Sequence, residues 1–406
     1  MKPILVLAIL LLGQPVVAGP FDDAEVAFRR QDYDTAARLF HPLAAEGIAP
    51  AQSSLGFMYA YGLGVPKDEV QAVKWYRLAA DQGYAPAQSR LGDMLEDGRG
   101  VPKDEVQAAK WYRLAADQGY APAQSSLGFM YAYGLGVPKD EVQAAKWYRL
   151  AADQGYAPAQ FRLGFMYAYG RGVPKDGVQA VKWYRLAADQ GYAAAQSGLG
   201  FMYAYGRGVP KDEVQAAKWY RLAADQGDAS AQSFLGDMHM LEARRGAPKH
   251  HADAVKWYRL AADQGYAPAQ SGLGSMYENG KGVPKDDAQA VKWYRLAADQ
   301  GYAPAQSSLG FMYAYGLGVP KDEVQAAKWY RLAADQGDAS AQSLLGLMYA
   351  NGLGVPKDDV LAYMWFNLGA AGGNEVGGKN RDLLAAHMTR DQIAEAQRLS
   401  REWMPK

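Results

Sequence analysis

The amino-acid sequence predicts an all-α protein, an α/α solenoid made of nine tandem helix–turn–helix repeats of 36 residues. The first observation is the spacing of the tryptophans, which recur every 36 residues with one interval of 38, at Trp75, Trp111, Trp147, Trp183, Trp219, Trp257, Trp293, Trp329 and Trp365. The second is that the sequence of each repeat contains two sets of apolar residues with helical spacing, separated by glycine and proline. One helix pair cannot bury such stripes alone, so neighbouring pairs must stack.

Each repeat divides into a helix A and a helix B. In repeat three, helix A is predicted from about Pro122 to Gly134, because the residues at i, i+4, i+7 and i+8 are apolar, namely Ala123, Leu127, Met130 and Tyr131. The loop that follows contains glycine and proline, and Asp140 can cap helix B. Helix B carries a second stripe and is predicted to end at Gly155 in a left-handed conformation. Its stripe consists of Ala144, Trp147, Tyr148, Ala151 and Ala152.

The two ends of the array differ from the repeat in ways that predict caps. Residues 19–48 are expected to form a short helix pair without the tryptophan, and residues 374–406 to form C-terminal capping helices behind the repeats at 49–373. A helix from Arg390 to Trp403, capped by Thr389 and Gln392, is expected to cover the last helix B. That helix B replaces three residues that we take as exposed, Ala327, Lys328 and Tyr330, by Tyr363, Met364 and Phe366. The stretch from Gly373 to Asn380 is expected to be a flexible turn.

Residues 1–18 are typical of a secretory signal peptide. Lys2 is followed by the apolar run from Ile4 to Leu12 and by small residues before Gly19, so cleavage is predicted after Ala18. Nine apolar residues are too few for a membrane-spanning helix, which needs about 20. We therefore expect a periplasmic or secreted protein with no membrane span after cleavage.

Composition excludes several classes of function. Lys plus Arg equals Asp plus Glu at 43 each, so no basic surface is expected to attract nucleic acid or acidic lipid. The chain has no cysteine, which excludes thiol catalysis, thiolate metal sites and disulfide bonds. No nucleophile with a nearby base recurs, and the GNEVGGKN segment lacks the Ser or Thr of a phosphate-binding loop. We predict no catalytic residues, no cofactor and no enzyme activity.

The repeated motifs are A-x-A-Q-x-x-L-G, Y-x-x-G-x-G-V-x-K-D and A-x-K-W-Y-x-x-A-A-x-x-G. Together they resemble the Sel-one-like repeat, a relative of the tetratricopeptide repeat, over residues 22 to 403. The resemblance implies a right-handed superhelix that acts as an adaptor between proteins, and it carries no catalytic residue set. Bacterial members of this type are often envelope proteins, some of them linked to polysaccharide export or to host interaction.

Aromatic pairs on helix A are the candidate partner-binding residues. They stand at i and i+4, away from the core stripe, and the resemblance places helix A on the concave side of the superhelix. The rings could hold a peptide or a partner helix, or they could pack against the next helix A and extend the core. Both interpretations remain open. The pairs, which we expect to be most effective in repeats three to five, are Phe57 and Tyr61, Phe129 and Tyr133, Phe165 and Tyr169, Phe201 and Tyr205, and Phe311 and Tyr315.

The sixth repeat departs from the pattern between Met238 and Ala247, where a distorted helix A and loop are expected. His239, His250 and His251 lie in or beside this segment and suggest a three-histidine zinc site. Adjacent side chains of a helix point about 100° apart, so His250 and His251 do not easily share a ligand face. We therefore predict no metal site.

The hypothesis that these observations favour is an exported scaffold that binds a protein or peptide partner through the helix A face. The alternatives are an accessory of envelope polysaccharide export, a host-interaction factor, and a lactam or cell-wall hydrolase. The sequence identifies neither the partner nor the oligomeric state.

Overall fold

The computed structural model describes residues 19–247 and 249–405, and this part of the chain contains 22 α-helices and no β-strand. The predicted signal peptide at 1–18 lies outside the described residues. The helices are α1 Pro20–Arg29, α2 Tyr33–Ala45, α3 Ala49–Tyr61, α4 Glu69–Asp81, α5 Ala85–Asp97, α6 Glu105–Asp117, α7 Ala121–Tyr133, α8 Glu141–Asp153, α9 Ala157–Tyr169, α10 Gly177–Asp189, α11 Ala193–Tyr205, α12 Glu213–Asp225, α13 Ala229–Arg244, α14 His250–Asp263, α15 Ala267–Asn279, α16 Asp287–Asp299, α17 Ala303–Tyr315, α18 Glu323–Asp335, α19 Ala339–Asn351, α20 Asp359–Ala371, α21 Glu375–Ala385 and α22 Arg390–Glu402. The predicted all-α solenoid of nine helix pairs is confirmed.

The helices belong to two compact units. The first contains α1–α10 together with Arg207–Val209, and the second contains Ala193–Gly206 and the chain from Pro210 onward. In the first unit every helix packs against the next one along the chain. The second unit follows the same rule from α11 to α21, and α22 packs on α20.

The core of each repeat consists of the predicted stripes. In repeat three, Leu127 and Met130 of α7 and Tyr148 of α8 are buried together with Ala123 of α7 and the alanines of α8. Gly128 lets the two helices approach, since a Cβ atom there would lie 3.0 Å from the Tyr148 ring. Small residues on one helix therefore make room for the large ring of the other.

The predicted helix boundaries have the expected local causes. Gly134 ends α7 with a φ angle of 75°, which favours glycine. The Asp140 carboxylate accepts hydrogen bonds from the backbone amides of Val142 and Gln143 at 2.9 and 3.0 Å and thereby caps α8. After α8, Gly155 adopts a φ angle of 87°, as predicted.

Polar contacts join consecutive repeats. Gln124 is buried, and its Nε2 donates to the Ala116 carbonyl of the preceding repeat at 3.1 Å. Its Oε1 accepts from Gln154 Nε2 at 2.8 Å, so one amide links two B helices. Equivalent bonds occur along the chain, for example at Gln88 and Gln160.

The sixth repeat has a longer helix A. The predicted distortion of the helix is wrong, because α13 is a regular helix of 16 residues where the neighbouring A helices have 13. Glu242 occupies the position at which other A helices end in a left-handed glycine, and the helix continues to Arg244. Glutamate favours a helix where glycine ends one, which explains the extension.

The C-terminal cap is confirmed, with two corrections. Helix α22 is capped by Thr389 and Gln392 and covers α20 through Trp403, whose ring lies 6.3 Å from that of Trp365. The expectation that Ala327 and Tyr330 are exposed is wrong, since both are buried and only Lys328 of the three is exposed. Ala327 lies in the core between repeats, and the Tyr330 ring packs on Gly310.

The second correction concerns the predicted turn from Gly373 to Asn380. Helix α21 begins at Glu375, and Asn374 caps it by accepting from the Gly377 amide at 2.8 Å. A Cβ atom on Gly377 would lie 2.3 Å from Ser343 Oγ. The glycine therefore permits a close helix contact here and does not indicate a turn.

Candidate partner-binding surface

Five A helices carry the predicted aromatic pairs, and in each pair the two rings are in contact. The ring centroids lie 4.5 to 4.6 Å apart. The five tyrosines are half-exposed, with relative accessibilities of 50 to 63% at Tyr61, Tyr133, Tyr169, Tyr205 and Tyr315. Half-exposed tyrosine rings combine apolar area with a hydroxyl group in contact with water, which suits a binding surface.

The phenylalanines of these pairs are more deeply placed than the tyrosines. Phe57, Phe129 and Phe201 are partly buried and pack against the core clusters. Arg162 lies with its guanidinium 5.6 Å from the centre of the Phe129 ring. Phe57, Phe129 and Phe201 thus extend the core, whereas Phe311 is exposed and the five tyrosines are half-exposed.

Cavities lie between successive A helices, and they have a common plan. The tyrosine of one repeat forms one side, and residues of the next helix A form the other side. One cavity of about 490 Å³ is lined by Tyr205, Phe234, Asp237, Met238 and Leu241, with Tyr220 of the B helix among its further lining residues. Another of about 370 Å³ is lined by Tyr315, Leu344, Leu347 and Tyr330.

These cavities differ in the residue at the phenylalanine position of the second repeat. Between repeats three and four this position is Phe165, and the space beside Tyr133 is only about 30 Å³. In the two larger cavities the equivalent positions hold Asp237 and Leu347. In these two cavities a side chain other than phenylalanine leaves more space beside the tyrosine.

A fourth cavity, of about 450 Å³, lies where the N-terminal cap meets the first repeats. Phe57 lines it together with Phe28 of α1, and Arg29, Arg90 and Glu25 contribute charged groups. Phe57 of the first aromatic pair therefore borders a recess of mixed character.

Buried phenols lie beside the larger cavities. Burial raises the pKa of Tyr220 and of Tyr330 well above the ordinary value, so both are neutral donors at any physiological pH. In the described part of the chain neither hydroxyl has a hydrogen-bond partner. By contrast, the Tyr258 hydroxyl donates to Asp237 at 2.6 Å. A ligand that presents an acceptor could satisfy the two free hydroxyls.

The pattern of aromatic pairs in the sequence does not indicate two kinds of residue that line these cavities. The sixth residue of the second A helix lines the cavities, as Arg162, Phe234 or Leu344, and it varies between repeats. The apolar stripe of helix B predicts its tyrosine to be a core residue only. An i, i+4 pattern on one helix does not report what lies between two neighbouring helices.

The histidines of the sixth repeat are only partly brought together. His239 and His250 form one cluster with Glu242, which the histidine pattern of the sequence does not point to. His251 is outside that cluster, as its position beside His250 on one helix predicted.

Among the described residues, no helix has the length and hydropathy that crossing a membrane requires.

Comparison with known proteins gives a consistent result. The profile described as Sel1 repeat matches nine segments, at residues 49–84, 85–120, 121–156, 157–192, 193–228, 229–266, 267–302, 303–338 and 339–374. Among solved structures, the chain is similar to a protective antigen present in uropathogenic Escherichia coli strains that displays an SLR fold. The identity is 35%, the alignment covers 95% of this chain and 92% of the antigen, and the TM-score is 0.56. A Sel1 repeat protein from Oxalobacter formigenes is 36% identical over 54% of this chain and 90% of its own, with a TM-score of 0.49. No curated protein matches the chain.

Proposed function

The chain belongs to the Sel1 repeat family, and from this membership we propose that it is an exported scaffold that binds a protein or peptide partner along its A helices. The observation that carries the proposal is the row of half-exposed tyrosines next to inter-repeat recesses. Family members generally act through protein–protein interaction, and a stacked array offers an extended surface for such contacts.

The chemistry of the recesses favours a peptide with apolar or aromatic anchors. The cavity beside Tyr205 is mostly apolar, through Phe234, Met238 and Leu241. Its charged lining residues are of both signs, namely Lys211, Arg245, Glu213, Asp237 and Glu242. A strongly charged ligand would gain little there. An aromatic side chain with a nearby acceptor could fill the space and accept from the Tyr220 hydroxyl.

Crosslinking with the full-length chain in its native envelope tests the binding surface. A photoreactive residue at Tyr205 or Tyr169 should capture one or a few defined proteins. Two double variants should reduce that capture at least tenfold by removing the anchors. Tyr205→Ser with Phe234→Ser is tested with the photoreactive residue at Tyr169, and Phe165→Ser with Tyr169→Ser is tested with the photoreactive residue at Tyr205.

The matched control is Leu222→Ser with Leu260→Ser, which removes two leucines exposed on B helices. This variant should capture the same partners as the unchanged chain. Capture that is unaffected by both anchor variants would contradict the proposed surface, and recovery of polysaccharide without protein would contradict a protein scaffold.

The exported location rests on the signal-peptide pattern of residues 1–18. The relative that is a protective antigen agrees with such a location. Mass spectrometry of the protein from fractionated cells should find a mature N-terminus at Gly19 outside the cytoplasm. A chain that keeps Met1 and stays in the cytoplasm would refute export.

A further inference from the structure

Three side chains of the sixth repeat differ from the residues that the other repeats carry at the same positions. His239 stands where seven repeats have the tyrosine of helix A and one has Leu95. Glu242 replaces the glycine that follows helix A in the eight other repeats, and His250 replaces the aspartate that caps helix B in all eight. The three residues are up to 11 positions apart in the sequence, yet the fold brings their side chains together.

Their ligand atoms form a nearly equilateral triangle. The Nδ1 atoms of His239 and His250 lie 3.3 Å apart, and each is 3.2 Å from Glu242 Oε2. A tetrahedral zinc ion with bonds of about 2.0 to 2.1 Å requires its ligand atoms to be about 3.3 Å apart. An octahedral ion with the same bond lengths requires about 2.9 Å. The triangle therefore matches one face of a zinc tetrahedron.

Hydrogen bonding alone explains this arrangement less well. Each imidazole can donate from Nδ1 to Glu242, but two N–H groups then face each other at 3.3 Å. A cation would accept the lone pairs of both nitrogens and of the carboxylate at once. Asp253, whose Oδ2 lies 3.6 Å from His250 Nδ1, adds a second negative charge beside the cluster.

The cluster is accessible and its scaffold is structured. The histidine side chains are about one quarter exposed, at 25%, and Glu242 is 48% exposed, so an ion can enter from solvent. His239 and Glu242 are three residues apart on one side of α13, and His250 begins α14. The loop between the helices lacks the aspartate cap of the other repeats, and α14 has no side-chain cap at Lys249.

We propose that His239, Glu242 and His250 bind one Zn²⁺ ion, with water at the fourth position, and that this ion joins α13 to α14 where the sixth repeat lacks the usual glycine turn and aspartate cap. The donor set of two imidazoles and one carboxylate is typical of zinc. The ion has a structural role in the loop, and because Glu242 also lines the cavity beside Tyr205, the site borders the proposed partner surface.

Zinc titration of the untagged full-length chain by isothermal calorimetry tests the proposal. We expect one Zn²⁺ per chain with a dissociation constant in the micromolar range or below. Variants His239→Tyr, Glu242→Gln and His250→Asp should each weaken binding at least tenfold. The tyrosine and the aspartate are residues that other repeats carry at these positions, so these variants should keep the fold, which circular dichroism verifies.

The matched control is His251→Ala, which removes a histidine outside the cluster and should leave zinc affinity unchanged. Amide exchange of residues 239–250 should slow when zinc is added to the unchanged chain and should not change in His250→Asp. Absence of binding at millimolar zinc, or equal affinity in His250→Asp and the unchanged chain, would overturn the proposal.

Discussion

Individual residues of the second repeat show how one substitution changes the chemistry of a recurring position. Asp93 stands where five repeats have phenylalanine, and it accepts a hydrogen bond of 2.8 Å from the Tyr112 hydroxyl. Glu96 is 2.8 Å from the same hydroxyl. Burial raises the pKa of both carboxyl groups above their ordinary values. The repeat therefore keeps two carboxyl groups around a single donor.

The raised pKa of Asp93 gives a signed prediction for stability. The folded chain holds this proton more tightly than the unfolded chain does, so stability falls as pH rises from the unfolded value of about 4 through the raised folded pKa. Asp93→Asn imitates the protonated acid. It should raise the free energy of unfolding at pH 7 by about 1 kcal/mol, with the gain disappearing below about pH 4.

Chemical denaturation of both chains at pH 7 and at pH 3.5 measures this effect. Asp97→Asn removes an exposed carboxylate four residues away and should change stability by less than about 0.5 kcal/mol. A loss of stability in Asp93→Asn at pH 7 would show that the charged form of Asp93 is favourable.

A glycine in the loop between helices provides a second test at this scale. Gly136 has a φ angle of 63°, and a Cβ atom there would lie 2.1 Å from the Glu105 carbonyl oxygen of the preceding repeat. Gly136→Ala combines the cost of a left-handed backbone with a clash against backbone, and we expect a loss of about 2 to 5 kcal/mol. Gly155 has a φ angle of 87°, but a Cβ atom there would have no other atom within 4 Å. Gly155→Ala should therefore lower the free energy of unfolding by only about 1 to 2 kcal/mol.

Thermal denaturation of both glycine variants separates strain from contact. The melting temperature should fall clearly further for Gly136→Ala than for Gly155→Ala. Equal losses would mean that the loop does not press against the preceding repeat.

At the scale of helices, the sequence predicts the features that depend on residues adjacent in the chain. It does not predict those that depend on contacts between separate helices. The A and B helices of repeat three were predictable because Pro122, Gly134, Asp140 and Gly155 act on the backbone beside them. Helix α21 was missed because Gly377, which serves a close contact with Ser343, resembles a turn glycine in the sequence. The aromatic pairs were predictable from i, i+4 spacing, but the recesses between A helices require the stacking of two repeats.

The buried glutamine of helix A carries a prediction about the contact between repeats. Gln124→Ala removes the bond to the Ala116 carbonyl and the acceptor of Gln154. Both former partners keep another bond, since Ala116 O also accepts from the Gly119 amide and Gln154 also donates to Leu150 O. The loss should therefore be moderate, about 1 to 2 kcal/mol.

Hydrogen exchange localises this loss. Amides of α6, α7 and α8 should exchange faster in Gln124→Ala, and amides of α1 and α2 should be unchanged, because a repeat contacts only its neighbours. Gln107→Ala, at an exposed position of α6, is the control and should leave exchange unchanged. Unchanged exchange of α6, α7 and α8 in Gln124→Ala would contradict the structural role of the buried amide.

The molecule as a whole consists of interchangeable internal repeats and specialised ends, and this difference leads to a final prediction. Deleting residues 121–156 joins Tyr120 to Ala157, and the contacts of repeat two are then restored by equivalent residues. Arg113, which lies within hydrogen-bond distance of Tyr131 Oη, would meet Tyr167 at the same position. The shortened chain should fold with unchanged helicity per residue. Its oligomeric state in solution should be the same as that of the full chain.

Removing the C-terminal cap should have the opposite effect although it deletes half as many residues. Truncation after Met388 removes α22, which covers Met364 and Trp365 of α20 through Leu399 and Trp403. Both covered side chains are buried in the intact chain, and no equivalent residue is left to replace the cap. An exposed apolar face of this kind promotes association, so light scattering should detect oligomers of the truncated chain only. A truncated chain that stays monomeric, with unchanged amide exchange in α20, would show that α22 does not act as a cap.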